Sequence, residues 1–275
     1  MRNLQQIYKP KTFDEAVALL KEPDTALLAG GTGLLSRRDR RVRALIDLSD
    51  LGLGTIRDAQ GEIKIGAMTS LAEAADSPIL RAVADGVIAQ AAHRSASSLL
   101  RNQATVGGTL IVEPAGILAT VLCALEATAW FTTGALGVQT TTGVRIELFL
   151  STLDKGLTGT LVTNFDIPPG SIYRHAAIET VARTPRDKPI VIVCATRAVD
   201  TNAVTIALGG LGDFAIRSGQ AERIMTGPDW NAQIDEAVHS ALDLQVTQDD
   251  FRGSAEYRRE MVSVLVRRAL NRVAA

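Results

Sequence analysis

The stretch Ala29-Gly30-Gly31-Thr32-Gly33 follows a short apolar run, and a second stretch of the same kind, Thr105-Val106-Gly107-Gly108-Thr109, leads into Leu110–Val112. Glycine lets the backbone adopt positive φ values and removes the Cβ atom that would keep a ligand away. Successive N–H groups in such a turn converge on an anion such as a pyrophosphate. A single Gly-rich stretch is more often an ordinary tight turn than a ligand-binding loop. The occurrence of two such stretches favours a cradle for a dinucleotide.

Composition limits the class of protein. The chain has 275 residues, of which 46% are apolar and 21% charged, and its net charge is −1. These values predict a globular protein of one large or two to three small domains, with no general attraction for nucleic acid or anionic membranes. No apolar stretch reaches the ~20 residues that span a bilayer, and residues 1–11 lack the apolar core of a signal peptide. We therefore expect a cytoplasmic location.

The cysteines and histidines predict neither a metal site nor a catalytic group. Cys123 and Cys194 lie in apolar runs without a CxxC partner, so we expect buried thiols and no iron–sulfur cluster or zinc in this chain. The three histidines share no motif with a Cys, Asp or Glu; they are His93, His175 and His239. Gly209–Gly212 follows a hairpin and does not open a helix, so it is not a Rossmann fingerprint. Any chemistry is then expected to belong to a bound cofactor.

Local patterns predict a mixture of helices and strands. Thr12–Glu15 and Ser70–Glu73 have the pattern of capping boxes, and Ser77-Pro78 precedes a helical apolar repeat from Leu80 to Ala91. The other predicted elements are a buried helix over 116–129, strands over 26–28, 44–48, 63–67, 144–149 and 161–167, and hairpins over 132–143 and 190–208.

The sequence pattern of the last hundred residues predicts a separate domain. A terminal helix has an apolar stripe from Met261 to Val273, and its arginines, Arg258 among them, are expected largely off that stripe. We expect a domain boundary near residue 170. The basic stretch Arg37–Arg43 is interpreted either as a solvated loop or as a surface for a diphosphate or an acidic partner subunit.

At the two Gly stretches the sequence resembles the FAD-binding, or medium, subunit of the molybdenum hydroxylases, the family of carbon monoxide dehydrogenase and xanthine dehydrogenase. The family's AGGTD-like and T-[IV]-GGN turns correspond to residues 29–33 and 105–109. Further matching segments occur in the expected order along the whole chain; they are residues 45–48, 65–69, 101–105, 161–168, 207–210, 254–259 and 264–270.

The resemblance implies an α+β fold with FAD as cofactor. It implies an FAD-binding domain over residues 1–170, made of two α+β subdomains (PCMH-type) that divide near 55–60, and a smaller C-terminal α+β domain over 171–275. It also implies a role, in which electrons reach the flavin from a molybdopterin-binding large subunit through a [2Fe-2S] small subunit and leave to an external acceptor. A heterotrimer or a dimer of heterotrimers is implied, without nucleic acid and without a membrane span.

The resemblance also implies which residues contact FAD. The two Gly stretches would hold the pyrophosphate and Leu161 would lie near the flavin ring. The implied cofactor-binding residues are Leu28, Ala29, Gly30, Gly31, Thr32, Gly33, Leu34, Thr105, Val106, Gly107, Gly108, Thr109 and Leu161.

Four positions depart from the family pattern. Thr109 replaces an Asn and Gly33 a residue that is often polar, while Ile117 stands where the family has Asp and Thr180 where it often has Lys. Ile117 cannot accept a hydrogen bond from a cofactor. The departures keep a second hypothesis open, a flavin-free relative that retains the fold for assembly. A third hypothesis, a separate vanillyl-alcohol-oxidase-like enzyme, lacks a substrate domain of adequate size.

Overall fold

The computed structural model describes residues 3–37, 41–135, 138–153, 159–184, 187–226, 230–242 and 246–274. Its strands form three sheets, each built from a consecutive portion of the chain. The strands are β1 (Gln6–Tyr8), β2 (Thr25–Leu28), β3 (Ala44–Asp47), β4 (Ile56–Ala59), β5 (Glu62–Gly66), β6 (Thr128–Ala135), β7 (Val138–Arg145), β8 (Thr160–Ile167), β9 (Arg174–Val181), β10 (Val191–Ala198), β11 (Val204–Gly209) and β12 (Ile216–Arg217). The helices are α1 (Phe13–Leu19), α2 (Thr32–Arg37), α3 (Leu71–Asp76), α4 (Pro78–Ala82), α5 (Val87–Arg94), α6 (Ser98–Arg101), α7 (Val106–Val112), α8 (Ile117–Ala124), α9 (Ile146–Ser151), α10 (Gly219–Ile224), α11 (Trp230–Leu242) and α12 (Ala255–Ala274).

The first portion is a parallel three-stranded sheet in the order β1-β3-β2. Thr12 caps α1 as predicted, because its Oγ1 accepts the N–H of Glu15 at 3.3 Å. The Glu15 carboxylate accepts from the N–H of Lys11, so the reciprocal half of a capping box is not formed at Thr12. The carboxyl end of β2 runs directly into the first Gly stretch. In open sheets of parallel strands this is the edge at which ligands bind.

The second portion is an antiparallel sheet in the order β4-β5-β8-β6-β7, with α3 to α9 around it. The predicted hairpin over 132–143 is confirmed as part of β6 and β7. The strand predicted over 144–149 is wrong beyond Arg145, because α9 begins at Ile146. Its buried residues Ile146, Phe149 and Leu150 have helical spacing, which an apolar run this short does not distinguish from a strand.

The helix predicted from Leu80 to Ala91 is divided in two. Helix α4 ends at Ala82, and Ala84 and Asp85 have φ values of +45° and +54°, after which α5 begins at Val87. Ser70 and Glu73 form the complete capping box predicted for α3. The apolar repeat correctly predicted a helix on both sides of the break. The break itself could not be predicted, because the positive φ values occur at two residues that are not glycine.

Helix α8 lies in the centre of the molecule and is buried along its whole length. It ends at Ala124, not at residue 129 as predicted, because Glu126 turns the chain at a φ of +57° before β6 begins. Strands β10 and β11 present Cys194 and Ala207 to the core around α8, while Val193 and Leu208 belong to a second core on the other face. The apolar character of this run therefore reflects a helix enclosed by one sheet and by the helices α5, α7 and α9.

The third portion is an antiparallel sheet in the order β12-β11-β10-β9. Helix α12 packs on β9 and β10, and α11 packs on α12. The predicted hairpin around residues 200–203 is confirmed by the pairing of Arg197 with Val204. Arg258 was expected off the apolar stripe of α12, and this prediction is wrong, since its side chain is completely buried. The predicted α+β fold is confirmed.

No single helix among the described residues has the length and apolarity to cross a membrane. Helices α7 and α8 pass that test only as a pair bent by 105°.

Candidate cofactor site

The first Gly stretch forms a tight loop between β2 and α2. Gly31 has a φ of +72°, a conformation that glycine adopts without strain. The chain then enters α2, and the N–H of Leu35 donates to the carbonyl of Gly31. The N–H groups of residues 30–34 donate to no other group in the described part of the chain. This loop therefore offers a run of free backbone donors.

The second Gly stretch is not a turn but the first turn of α7. Thr105 is the N-cap, and its Oγ1 accepts the N–H of Gly108 at 3.1 Å. The N–H groups of Val106 and Gly107 donate to the carbonyls of Thr69 and Ala67, and that of Thr109 donates to the carbonyl of Thr105. The backbone donors of residues 106–109 are thus already used inside the protein, unlike those of residues 30–34.

The fold brings the two Gly stretches into contact. A Cβ atom at Gly30 would lie 1.6 Å from the carbonyl oxygen of Gln103, and one at Gly33 would lie 2.4 Å from Cγ2 of Val112. Glycine is required at both positions because the first loop lies directly on the chain that enters and leaves α7. The prediction that the two stretches act together is consistent with this packing.

A side chain at Gly107 is excluded by a different neighbour. Its position is closed by Ala67, whose carbonyl oxygen and Cβ would both be 3.0 Å from an added Cβ. The same Ala67 donates its N–H to the carbonyl of Thr163 on β8. These contacts join the start of α7 to the end of β5 and to β8, and so place the second stretch against the five-stranded sheet.

Leu161 lies in β8 beyond the point where β5 stops pairing with it. β5 pairs with residues 164–167, whereas among the described strands residues 160–162 pair only with β6. The Leu161 side chain is 1% exposed and packs in a core with Leu48 and Leu53. Contact with a cofactor ring would therefore involve the open backbone edge at Leu161, not its side chain.

Two of the departures from the family pattern have structural explanations. Ile117 is buried at the first position of α8 among apolar side chains, where an unpaired carboxylate would be costly. Thr180 on β9 accepts a hydrogen bond from Nη2 of Arg94 at 2.6 Å, so a guanidinium group stands beside the position that lacks a lysine.

A charged cluster that sequence reasoning missed joins the second and third portions of the chain. Glu126 accepts from Nη1 of Arg217 at 2.8 Å and from Nη2 of Arg174 at 2.7 Å. Arg217 also forms a two-pronged pair with Glu222. Burial opposes the ionisation of Glu126, but the two arginines outweigh it and lower the pKa of its carboxyl group. No sequence spacing could reveal this cluster, because its members are far apart in the chain.

Glu126 and Arg217 line an open cavity of about 870 Å³ on β7, α9 and α10. A second cavity of about 460 Å³ lies beside Asp85, Tyr173 and Asp200. Neither cavity is lined by the two Gly stretches. The charges of the first cavity form ion pairs with one another.

The described residues contain no group of three or more His, Cys, Asp or Glu that could hold a metal ion. Burial raises the pKa of the Cys123 thiol, and that of Cys194 to about 12. Both cysteines are free and buried, as predicted. His239 hydrogen-bonds the carbonyl of Asp235, and His175 lies 3.5 Å from Asp85.

Comparisons with known proteins identify the family of this chain. The family model described as the FAD binding domain in molybdopterin dehydrogenase matches residues 2–170, and the CO dehydrogenase flavoprotein C-terminal domain matches residues 176–273. The chain belongs to this molybdopterin-dehydrogenase flavoprotein family. The flavoprotein therefore has FAD as its cofactor and is a subunit of an oxidoreductase.

Its relatives match over nearly their whole length. The uncharacterized protein YgfM of Escherichia coli K12 is 27% identical, with 96% of this flavoprotein and 94% of the relative covered. The carbon monoxide dehydrogenase medium chain of Hydrogenophaga pseudoflava is 27% identical, with 97% and 96% covered. The structure titled reconstituted CO dehydrogenase from Oligotropha carboxidovorans superimposes with a TM-score of 0.85 at 26% identity, with 98% and 96% covered. The flavoprotein is thus similar throughout to medium chains of multi-subunit dehydrogenases.

Proposed function

We propose that this chain is the electron-transfer subunit of a multi-subunit molybdenum hydroxylase. In this proposal electrons come from a molybdopterin-binding large subunit through a [2Fe-2S] small subunit, and leave from FAD to an external acceptor. The observation that carries the proposal is the run of free N–H groups at residues 30–34, which lies on the entry to α7. Bound FAD supplies the redox chemistry, and this chain supplies binding and orientation.

The two Gly stretches have unequal tasks in the proposed site. Residues 30–34 donate backbone hydrogen bonds to the pyrophosphate, since their N–H groups are free, and Leu28 and Ala29 lead the chain into this loop. Residues 105–109 form the opposite wall of the site. The backbone N–H of Thr109 is already used, so this residue would contact the cofactor through its side-chain hydroxyl group. The open backbone edge at Leu161 lies next to the flavin ring. The proposed FAD site therefore keeps all thirteen residues that the sequence suggested, with the roles described above.

The assembly and location are parts of the same proposal. The H. pseudoflava relative is named a medium chain, which supports a complex with at least two other kinds of subunit. A heterotrimer or a dimer of heterotrimers satisfies this requirement. The free, buried thiols are consistent with the proposed cytoplasmic location, where disulfides are rare.

The test is a visible absorption spectrum of the purified chain before and after incubation with FAD and desalting. Flavin bands that survive desalting support the proposal. A spectrum without flavin bands under both conditions contradicts FAD binding by the isolated chain and favours the flavin-free alternative that Ile117 and Thr180 raised.

A variant tests whether the flavin bands depend on the loop at residues 30–34. Thr32→Glu places a carboxylate beside the free N–H groups, and we expect FAD affinity to fall at least about tenfold, which corresponds to ~1.4 kcal/mol. Thr140→Glu introduces the same charge at an exposed position of β7 and serves as the control. Equal FAD affinities for the two variants would exclude residues 30–34 as the anion site.

A further inference from the structure

The short helix that leads into the second Gly stretch buries none of its own side chains. All four residues of α6 (Ser98–Arg101) lie outside the buried cores. A single helical turn is unstable in water, and most helices in proteins are stabilised by packing an apolar face against the core. The position of α6 therefore depends on its polar contacts.

Arg101 makes two of these contacts through one atom. Its Nη1 donates to the carbonyl of His93 at 2.9 Å and to the carbonyl of Ala96 at 3.0 Å. A hydrogen bond from a charged donor contributes more to stability than one between neutral groups. Arg101 forms no ion pair with a carboxylate in the described part of the chain, so its charge serves the backbone.

One of the two carbonyls belongs to a helix that the core holds in place. His93 lies in the last turn of α5, where helix carbonyls lack a partner within the helix and a cation is favoured. Helix α5 is anchored because its side chains Val87, Ile88 and Ala91 are buried in the core around α8. Arg101 thus joins α6 to a fixed element.

The backbone after Arg101 reaches the first Gly stretch. The N–H groups of Gln103 and Ala104 both donate to the carbonyl of Leu100, at 3.0 and 2.8 Å. This turn places the Gln103 carbonyl against Gly30, where an added Cβ atom would lie 1.6 Å from the oxygen. Gly30 begins the run of free N–H groups. A displacement of α6 would therefore move the group on which this run rests.

We propose that Arg101 is a positioning residue for FAD. It holds α6, and with it the Gln103 carbonyl, so that the loop of residues 30–34 is ordered before the cofactor arrives. The inference rests on the anion site proposed above at this loop. Affinity falls in proportion to the fraction of molecules in the competent conformation, so a loop that is ordered in advance binds FAD more tightly.

The experiment compares variants of the full chain. Arg101→Ala removes both hydrogen bonds, whereas Arg101→Lys keeps a charged donor group for the two carbonyls. Arg81→Ala is the matched control, because Nε of Arg81 also donates to a backbone carbonyl, that of Ala75, but at the junction of α3 and α4. The change in flavin fluorescence on titration with FAD gives the Kd, and amide hydrogen exchange measures order in the FAD-free chain.

We expect Arg101→Ala to raise the Kd for FAD at least about tenfold, as when the competent loop conformation falls to about one-tenth of the molecules. Exchange should become faster at Gln103 and Ala104, and also at Leu35, whose N–H donates to the carbonyl of Gly31. Arg101→Lys should stay within about threefold of the wild-type Kd, and Arg81→Ala should not change it.

Added guanidinium ions should restore part of the FAD affinity of Arg101→Ala, because they can occupy the space of the missing group. Sodium chloride at the same ionic strength should not. This rescue separates positioning from a general loss of stability, since guanidinium ions otherwise destabilise folded proteins.

Equal Kd values for Arg101→Ala and the wild type overturn the inference, and so does unchanged exchange at Leu35. Equal losses of affinity in Arg101→Ala and Arg81→Ala reduce Arg101 to a general contribution to stability. Should Arg101→Ala fail to fold, Arg101→Gln, which also lacks the charge, takes its place in the same comparison. A wild-type chain that binds no FAD refutes the proposed function, and exchange at Leu35 then still decides whether Arg101 orders the loop.

Discussion

At the scale of single residues, Arg258 shows how one buried charge can hold a domain together. Its guanidinium group donates to the carbonyls of Ile190 and Gly210, both at 2.6 Å, and to Oδ1 of Asp250 at 2.7 Å. Its Nε donates to the carbonyl of Gly253. The charge is therefore fully paired inside the C-terminal domain, between α12 and the sheet.

We predict that Arg258→Met destabilises the protein by about 3–5 kcal/mol, because it leaves the carbonyls of Ile190 and Gly210 without their buried donor and removes one of the two arginines that pair with Asp250. Equilibrium unfolding in urea measures this change. Arg259→Met, at the exposed neighbouring position, should differ from the wild type by less than about 0.5 kcal/mol. Similar losses for both variants would contradict the role assigned to Arg258.

At the scale of elements, the short helix α7 depends on its cap. Thr105 is 4% exposed and accepts the N–H of Gly108, while Thr12 makes the corresponding contact at the start of α1. Helices this short gain little from propensity alone, so a cap has a measurable effect on them.

We predict that Thr105→Val and Thr12→Val each lower the free energy of unfolding by about 1 kcal/mol, through loss of the cap. Only Thr105→Val should also weaken FAD retention, since α7 forms one wall of the proposed site. Unfolding curves and flavin content after desalting give the two readouts. An equal effect of both variants on flavin would show that α7 has no special relation to the cofactor.

At the scale of the whole molecule, Glu126 joins the FAD-binding and C-terminal domains through Arg174 on β9 and Arg217 on β12. Its pKa is lowered in the folded protein, so its contribution to stability is present above the unfolded pKa of ~4.5 and is lost as pH falls through the folded value.

We predict that Glu126→Gln costs about 1–2 kcal/mol at pH 7, a moderate value because the glutamate is about one-third exposed. The cost should shrink as pH falls below the unfolded pKa and disappear below the folded value, since the wild-type carboxyl group is then protonated in both states. Unfolding experiments at pH 7 and in acid measure both. A difference that does not depend on pH would refute the electrostatic role of Glu126.

Much of the architecture could be predicted because its determinants are local in sequence. The Ser70–Glu73 capping box, the hairpin at residues 200–203 and the unstrained glycine at Gly31 each depend on residues a few positions apart. The collinear family motifs added the overall fold and FAD. The physical reason is that short-range hydrogen bonds and backbone preferences are encoded by neighbouring residues.

The tertiary structure decided what depends on distant partners. Only folding brings Gly30 onto Gln103, occupies the amides at Gly107 with Ala67, and buries Arg258 against Asp250. The run after Arg145 became a helix because its apolar side chains meet the core with helical spacing. By itself the sequence determined the family, the cofactor and the two Gly stretches. Their unequal roles were decided by long-range packing, because whether a backbone donor stays free depends on which distant acceptor reaches it.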